Sequence, residues 1–202
     1  MGNGKSIMGE IFSWVLSLGV ALLVALFIIS NIVSMTMVME QSMEPTFSQG
    51  DRLIVNRVGY YFTDPERGDI VIFDKNPIEK GLIRNMINEI SDIRNSFKFR
   101  LTGSAEKNLL IKRVIGVGGD QVELIEGEVF INGGRLDEPY LDTMTYSRGE
   151  TSWTVPEGKL FVLGDNRENS LDSRVLGFID TDQVKGKVAF RIFPFSEFGS
   201  ID

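Results

Sequence analysis

The sequence predicts a mainly β protein: an antiparallel β-sandwich or folded barrel with one N-terminal transmembrane helix and a small helical insert. Three observations predict it. Residues 11–39 form an uncharged run of 29. Short apolar stretches separated by Gly-rich turns fill the second half of the chain. Apolar residues recur at helical spacing between positions 76 and 108. Of the 202 residues, roughly 160 follow the first segment, which suits one domain.

The uncharged run predicts a membrane anchor at residues 11–33, after a polar leader at residues 1–10. Roughly 20 helical residues cross a bilayer. A cleavable signal peptide is the alternative interpretation, but its apolar core would span about 7–15 residues and precede a small-x-small site. This run is longer and no Ala-x-Ala follows it, so an uncleaved anchor is favoured. Lys5 precedes the anchor, and Arg52 and Arg57 follow it. These positive charges do not indicate which end of the anchor is cytoplasmic.

The remainder, residues 34–202, is predicted as one folded domain. Strands are expected at 34–39, 53–55, 70–73, 109–115, 121–125, 128–131, 152–155, 160–163 and 187–193. Glu126-Gly127 and Asn132-Gly133-Gly134 have the composition of tight hairpin turns. The insert at 76–108 is predicted to contain an amphipathic helix, which either lies on the sheet or forms a lid or partner surface.

Composition excludes several chemistries. The net charge of −7 argues against nucleic-acid binding, which needs clustered Lys and Arg. The chain contains no cysteine, so disulfides, thiolate zinc sites and a cysteine nucleophile are excluded. It also contains no histidine, which excludes a Ser-His-Asp triad and removes the usual zinc ligands. A serine nucleophile would therefore need a base other than imidazole.

Lys112 is the best candidate for that base, and Ser42, in a polar turn just beyond the anchor, for the nucleophile. In the apolar strand around Lys112 and Arg113 each face carries one cation, so alternation directs one of them to the core. Only lysine readily loses its proton on burial, and lowering its pKa from about 10.4 to about 8 requires roughly 3 kcal/mol. A neutral amine can accept a serine proton. In the alternative interpretation, both cations reach solvent at a sheet edge.

A second polar cluster, residues 164–174, follows the strand at 160–163. A calcium-binding loop does not fit, because the sixth position from Asp165 is Ser170 rather than Gly and the twelfth is Leu176 rather than Glu. The cluster is either a solvated loop or a loop held by hydrogen bonds and ion pairs.

Four blocks in a fixed order resemble the bacterial type I signal peptidases (leader peptidases), of the small Gram-positive kind with one N-terminal anchor. The blocks are Ser42-Met43-Glu44-Pro45-Thr46, Arg67-Gly68-Asp69-Ile70-Val71, Lys112-Arg113-Val114-Ile115-Gly116 with Gly119-Asp120, and residues 164–174. The resemblance implies a mostly antiparallel β fold whose apolar surface rests on the membrane. It also implies a cytoplasmic leader, an extracytoplasmic catalytic domain and a location in the plasma membrane.

The resemblance also assigns roles to residues. It implies Ser42 as nucleophile, Lys112 as general base and Ser170 as the residue that orients the lysine amine; the Ser42 backbone N–H is the expected oxyanion donor. Two structural ion pairs are implied, Arg113–Asp165 and Asp172–Arg174, and Met43 and Ile111 are implied to line the pocket for a small substrate side chain. The implied substrates are signal peptides of exported preproteins with small residues at −1 and −3, and the lipid bilayer is a second partner. No metal, cofactor or nucleic acid is implied, and the oligomeric state is left open.

The sequence departs from the family pattern at three positions. Glu40 stands where some members have a serine that serves the oxyanion, and an ionised carboxylate cannot donate. Gly118 replaces a proline and Phe47 a leucine.

The alternative functions are a catalytically silent membrane-anchored binding module and a peptidase dedicated to a few substrates such as pilins. Two other classes of peptidase fit less well. Self-cleaving Ser-Lys repressors are soluble and bind DNA, whereas this chain has a predicted anchor and no basic patch. Endoplasmic-reticulum or spore-type signal peptidases place histidine at the base position, and this chain contains no histidine.

Overall fold

The computed structural model describes residues 7–75, 109–141 and 143–201. The helix predicted within 76–108 lies outside the described residues, as do residues 1–6 of the predicted leader.

The N-terminal helix α1 spans Ile7–Asn31, about 37 Å at 1.5 Å per residue. Its stretch from Gly9 to Ile28 is long and apolar enough to cross a membrane, and none of it is buried in the protein. The helix begins four residues before the predicted anchor, residues 11–33, and ends two residues before the end of that anchor. The helix starts earlier because Glu10 marks the edge of the apolar run rather than of the helix, and it stops earlier because Val33 already belongs to the first strand.

Twelve strands follow in the described residues. They are β1 (Val33–Met37), β2 (Arg52–Asn56), β3 (Ile70–Asp74), β4 (Leu109–Gly116), β5 (Gln121–Ile125), β6 (Glu128–Ile131), β7 (Gly134–Arg135), β8 (Ser152–Thr154), β9 (Lys159–Leu163), β10 (Ile179–Asp180), β11 (Val184–Phe193) and β12 (Gly199–Ser200). One short helix, α2 (Ser173–Leu176), and 3-10 turns at Gly59–Tyr61, Thr181–Gln183 and Phe195–Glu197 complete the regular structure.

The strands form two antiparallel sheets. The larger has the order β1-β2-β11-β3-β4-β9-β10, with β12 paired to β11, and the smaller has the order β7-β6-β5-β8. The predicted class, mainly antiparallel β, is confirmed. Each predicted strand overlaps an observed one, whereas β7, β10 and β12 were missed because two residues are too few to show alternation.

The two predicted hairpins are present. Glu126 and Gly127 have φ of 51° and 87°, and they join β5 to β6 with Ile125 opposite Glu128. Asn132 and Gly133 have φ of 53° and 80°, and they join β6 to β7. Positive φ at both central residues is the type I′ geometry that matches the twist of the flanking strands.

The core is made of three clusters of buried apolar residues. One of them joins the two sheets: Ile115 and Phe161 from β4 and β9 pack with Val122 and Trp153 of the smaller sheet. The Trp153 and Phe161 ring centroids lie 4.8 Å apart. Strand β4 therefore lies between β3 and β9 in the larger sheet and also contacts the smaller one, so its side chains are buried on both faces.

Candidate active site

The two predicted catalytic side chains meet. Ser42 lies in a turn between β1 and β2, where the Glu44 N–H donates to Gln41 O over 3.1 Å. Its Oγ is 2.6 Å from Nζ of Lys112 on β4. Ser42 is 8% exposed and Lys112 is fully buried. The arrangement gives a hydroxyl at the edge of solvent in hydrogen-bonding contact with an amine that has no access to water.

Burial is the main influence on the amine. It lowers the pKa of Lys112 from 10.5 to about 8, although the charges of Asp172, Glu40 and Asp165 act in the opposite direction. Nζ also donates to Ile111 O over 2.9 Å. At pH 7 roughly one lysine in ten is then neutral, and the ratio of neutral to charged lysine grows tenfold per pH unit.

Arg113 is buried as well, so the interpretation that both cations reach solvent was wrong. Its guanidinium forms two bonds to the Asp165 carboxylate, from Nε over 3.0 Å and from the second amino nitrogen over 2.7 Å. A buried charge is stable when it is paired in this bidentate way. Thr46 Oγ1 donates to the same carboxylate over 2.5 Å, which links the Ser42 turn to the loop after β9.

The second predicted ion pair, Asp172–Arg174, is also present. Arg174 donates to Asp172 from Nε over 2.9 Å and from the guanidinium tip over 2.8 Å. Asp172 caps α2, and its Oδ2 accepts the Gly164 N–H over 3.1 Å. Arg174 also donates to Arg167 O over 2.7 Å. The loop after β9 is therefore held by ion pairs and hydrogen bonds rather than solvated.

This loop fixes the backbone of the nucleophile. The Asn166 N–H donates to Ser42 O over 3.0 Å, and Asn166 Nδ2 donates to Gln41 O over 3.1 Å. Sequence reasoning missed this role of Asn166, because a polar loop residue carries no sign of a partner 125 positions away.

Ser170 does not make the predicted bond to Lys112. Its Oγ is buried and has no hydrogen-bond partner in the described residues, while Nζ of Lys112 contacts Ser42 Oγ and Ile111 O. Gly164 packs beside it: a Cβ there would lie 2.2 Å from Ser170 Oγ and 2.4 Å from Ser42 O. Only glycine allows this close approach.

The sequence model of the family described as "Signal peptidase, peptidase S26" matches residues 11–193. The chain belongs to the signal peptidase family, peptidase S26. Signal peptidase IB of Staphylococcus aureus (strain COL) is 35% identical to it over 206 residues, which cover 94% of this chain and 93% of that protein. A probable signal peptidase I-2 of Synechocystis sp. is 36% identical over 159 residues, 78% of this chain and 62% of that protein.

Among solved structures, a signal peptidase I from Enterococcus faecalis V583 shares 29% identity with this chain and covers 62% of it, and 97% of that chain is covered, with a TM-score of 0.40. Family membership rests on the sequence matches. A signal peptidase of the S26 family is a serine peptidase, so this member is a hydrolase whose substrates are signal peptides.

The two residues implied to line a substrate pocket differ in exposure. Met43 is 1% exposed and packs in a core cluster with Phe47 and Leu53, so its side chain is not accessible in this conformation. Ile111 is half-buried and packs against the same cluster. Of the two, only Ile111 keeps part of its surface accessible to solvent.

Sequence reasoning also missed a third buried ion pair in this signal peptidase, between Arg167 and Glu138. Arg167 donates to the Glu138 carboxylate over 2.5 and 3.1 Å and to Gly164 O over 3.1 Å. Glu138 lies in a turn-rich stretch without a motif, so only the fold reveals its partner. No group of three or more His, Cys, Asp or Glu side chains in the described residues is arranged to hold a metal ion.

Proposed function

We propose that this signal peptidase is a membrane-anchored serine endopeptidase that cleaves through a Ser42–Lys112 dyad and an acyl-enzyme, without metal or cofactor. The observation that carries the proposal is the 2.6 Å contact between Ser42 Oγ and the amine of a fully buried lysine whose pKa is lowered to about 8. A neutral lysine is a competent general base in a chain without histidine.

In the proposed reaction, neutral Lys112 accepts the Ser42 hydroxyl proton while Oγ attacks the carbonyl carbon of the scissile bond. The resulting ammonium then gives that proton to the leaving amine as the C–N bond breaks, which leaves an ester on Ser42. Neutral again, Lys112 takes a proton from water, whose oxygen attacks the ester, and the proton returns to Ser42 Oγ. Each step balances with one lysine acting first as base and then as acid.

The Ser42 N–H is the proposed donor to the oxyanion. No backbone carbonyl in the described residues accepts a hydrogen bond from it, so it is free for this purpose. Glu40 cannot supply a second donor while ionised. Ser170 is proposed to orient the amine during the reaction. A neutral amine has two N–H groups and one lone pair. Ile111 O accepts one N–H and the Ser42 hydroxyl donates to the lone pair, so the second N–H remains for Ser170 Oγ.

The proposed substrates are exported preproteins that carry small residues at −1 and −3 of the signal peptide. An extended peptide presents alternate side chains to the same side, which explains why two positions spaced by one residue would be read together. Half-buried Ile111, next to Lys112 in β4, supports an apolar contact beside the dyad.

Helix α1 is proposed as a single plasma-membrane span, with the leader cytoplasmic and the catalytic domain extracytoplasmic. An exposed apolar surface begins where α1 ends: Met35 and Phe190 are both exposed and flank Ile54 across β1, β2 and β11. This surface would rest on lipid and hold the Ser42 turn, five residues beyond β1, at the membrane surface where a signal peptide emerges.

The test is cleavage of a preprotein with an Ala-x-Ala site by the full-length protein in detergent, beside Ser42→Ala and Lys112→Ala. Lys159→Ala is the control, because Lys159 is half-exposed and pairs with a half-exposed aspartate. We expect cleavage after the second alanine by the wild type and the control alone. Full activity of Lys112→Ala would refute the dyad. An intact wild type that cleaves nothing would point to a dedicated substrate set, such as pilins, or to a silent binding module.

A further inference from the structure

The segment that connects β7 to β8 runs from the smaller sheet to the active site. We name its described part, residues 136–141 and 143–151, the bridging segment. Three backbone bonds attach it to the smaller sheet: the Leu136 N–H donates to Val129 O over 2.8 Å, the Thr145 N–H donates to Gly127 O over 2.7 Å, and Thr151 O accepts from the Leu124 N–H over 2.8 Å. Between the first two attachments it contacts two of the buried arginines described above.

The first contact is between Tyr140 and Arg113. The central carbon of the guanidinium lies 3.8 Å from the centre of the Tyr140 ring. The edge of the same guanidinium is held by the Asp165 carboxylate over 3.0 and 2.7 Å. The carboxylate fixes the planar group within its plane, and the ring fixes it from one face. Arg113 is adjacent to Lys112 in β4, so its orientation bears directly on the strand that carries the amine.

The second contact continues from the same tyrosine. Tyr140 donates its hydroxyl to Glu138 Oε1 over 2.7 Å, and Glu138 pairs with Arg167, whose Nε donates to Gly164 O. Burial raises the pKa of Tyr140 above its usual range, and the charge of Glu138 adds to this, so the hydroxyl stays a donor at working pH. Side chains thus connect β4 to Gly164 by a path that does not use Asp165.

We propose that Tyr140 and Glu138 are positioning residues for the peptidase reaction: they hold Arg113, and through it the strand that carries Lys112, in register with the loop that begins at Gly164. The proposal rests on the Ser42–Lys112 dyad proposed above. Neither residue needs to touch the substrate, so their removal changes how well the amine is placed rather than how well the peptide binds.

The test compares Tyr140→Leu, Tyr140→Phe and Glu138→Gln with matched controls. Tyr146→Leu and Tyr146→Phe change a tyrosine of the same segment that is 64% exposed and donates to Met144 Sδ. Glu128→Gln changes a glutamate whose ion pair with Arg135 is exposed. For each full-length variant in detergent, kcat, KM, the pH profile and thermal unfolding are measured with a preprotein substrate.

We expect Tyr140→Leu to lower kcat on the order of tenfold while KM changes less than about twofold. Its alkaline limb should move to higher pH, because an Asp165 carboxylate less well paired with Arg113 favours the charged lysine more strongly. Tyr140→Phe keeps the ring and should recover part of the loss. The double variant Tyr140→Phe with Glu138→Gln should have a kcat little lower than that of either single variant, because both substitutions interrupt the same chain of contacts. The Tyr146 and Glu128 variants should match wild type.

Several outcomes would overturn the proposal. One is a Tyr140→Leu variant with reduced thermal stability but wild-type kcat and pH profile, since that describes a purely structural residue. Another is strict additivity of Tyr140→Phe and Glu138→Gln; this comparison remains decisive if Tyr140→Leu does not fold. Ser42→Ala and Lys112→Ala are measured in the same series. Cleavage by either would refute the dyad itself, whereas their inactivity beside unaffected Tyr140 and Glu138 variants would refute this inference alone.

Discussion

Replacing Lys112 with methionine should change the pH dependence of stability in a way that can be calculated. Methionine keeps most of the side-chain volume and removes only the titrating amine. Burial lowers the folded-state pKa of Lys112 from 10.5 to about 8. Between those two values the unfolded chain binds more protons than the folded one, so the contribution of this lysine to the free energy of unfolding rises with pH.

The magnitude follows from the difference of about 2.5 between the two pKa values. At about 1.36 kcal/mol per pKa unit, the buried amine lowers stability by roughly 3 kcal/mol at pH 7 relative to its neutral form. Most of this penalty disappears as the pH approaches the unfolded-state value, and about 2 kcal/mol of it is recovered between pH 7 and 9.5. Lys112→Met lacks the titration. Its stability advantage over wild type should therefore shrink by about 2 kcal/mol across that range.

The assay is urea unfolding of full-length wild type and Lys112→Met in detergent, followed by near-ultraviolet circular dichroism at several pH values. Other titrating groups act equally on both proteins and cancel in the difference, and the lost bonds to Ser42 and Ile111 add only a constant offset. Lys159→Met, which removes a half-exposed lysine, is the control and should show no comparable trend. A flat difference between wild type and Lys112→Met would refute the conclusion that this lysine is buried with a lowered pKa.

Three further substitutions test the surroundings of the dyad. Glu40→Gln should move the alkaline limb of cleavage to lower pH, because the Glu40 charge raises the pKa of Lys112; the shift should shrink as salt is added. Gly164→Ala should lower kcat on the order of 100-fold, because its Cβ would lie 2.2 Å from Ser170 Oγ. Asp165→Asn should lower the free energy of unfolding by about 3–5 kcal/mol, because it leaves a buried arginine uncompensated.

Each of the three has a matched control. Glu150→Gln removes an exposed carboxylate that is not among the groups acting on Lys112, so an equal pH shift in both variants would contradict a specific effect of Glu40. A Cβ at Gly149 meets no atom within 4 Å, so Gly149→Ala should be fully active. Asp180→Asn breaks an ion pair of half-exposed residues and should cost less than about 1 kcal/mol.

Strand β4 shows how far the sequence could predict the site. Its pattern, one cation on each face of an apolar strand, indicated that one of the two cations is buried. In the structure both Lys112 and Arg113 are buried. The difference comes from the partners: Arg113 pairs with Asp165, 52 positions away, and Lys112 contacts Ser42, 70 positions away. A periodic pattern reports which faces are buried and not which distant groups compensate a buried charge. The family resemblance, rather than the pattern, supplied those partners.

Tyr140 and Glu138 could not be found from the sequence by either route. They lie in a segment without strand or helix periodicity, and no motif includes them. Their contacts reach Arg113 in β4 and Arg167 in the loop after β9, 27 and 29 positions away. Helix α2 was missed for a related reason: four residues show no helical period, and only the cap at Asp172 indicates its start. Local signals predicted the hairpins and strands well because their causes are local.

Ser170 is where the predicted and observed sites differ most, and a neighbouring serine makes that difference testable. Ser170 Oγ is buried without a hydrogen-bond partner in the described residues, whereas Ser173 Oγ accepts the Val162 N–H over 2.9 Å. Ser170→Ala should therefore leave the free energy of unfolding unchanged or slightly higher, while Ser173→Ala should lower it by about 1 kcal/mol.

The effects of these two substitutions on activity should be the reverse. A buried hydroxyl that bonds nothing in the resting enzyme costs free energy, and orienting the amine of Lys112 during the reaction would account for that cost. Single-turnover cleavage should then slow on the order of tenfold or more in Ser170→Ala and stay near wild type in Ser173→Ala. Full activity of Ser170→Ala would show that the dyad needs no third side chain. A loss of stability equal to that of Ser173→Ala would show instead that Ser170 Oγ has a partner in solution.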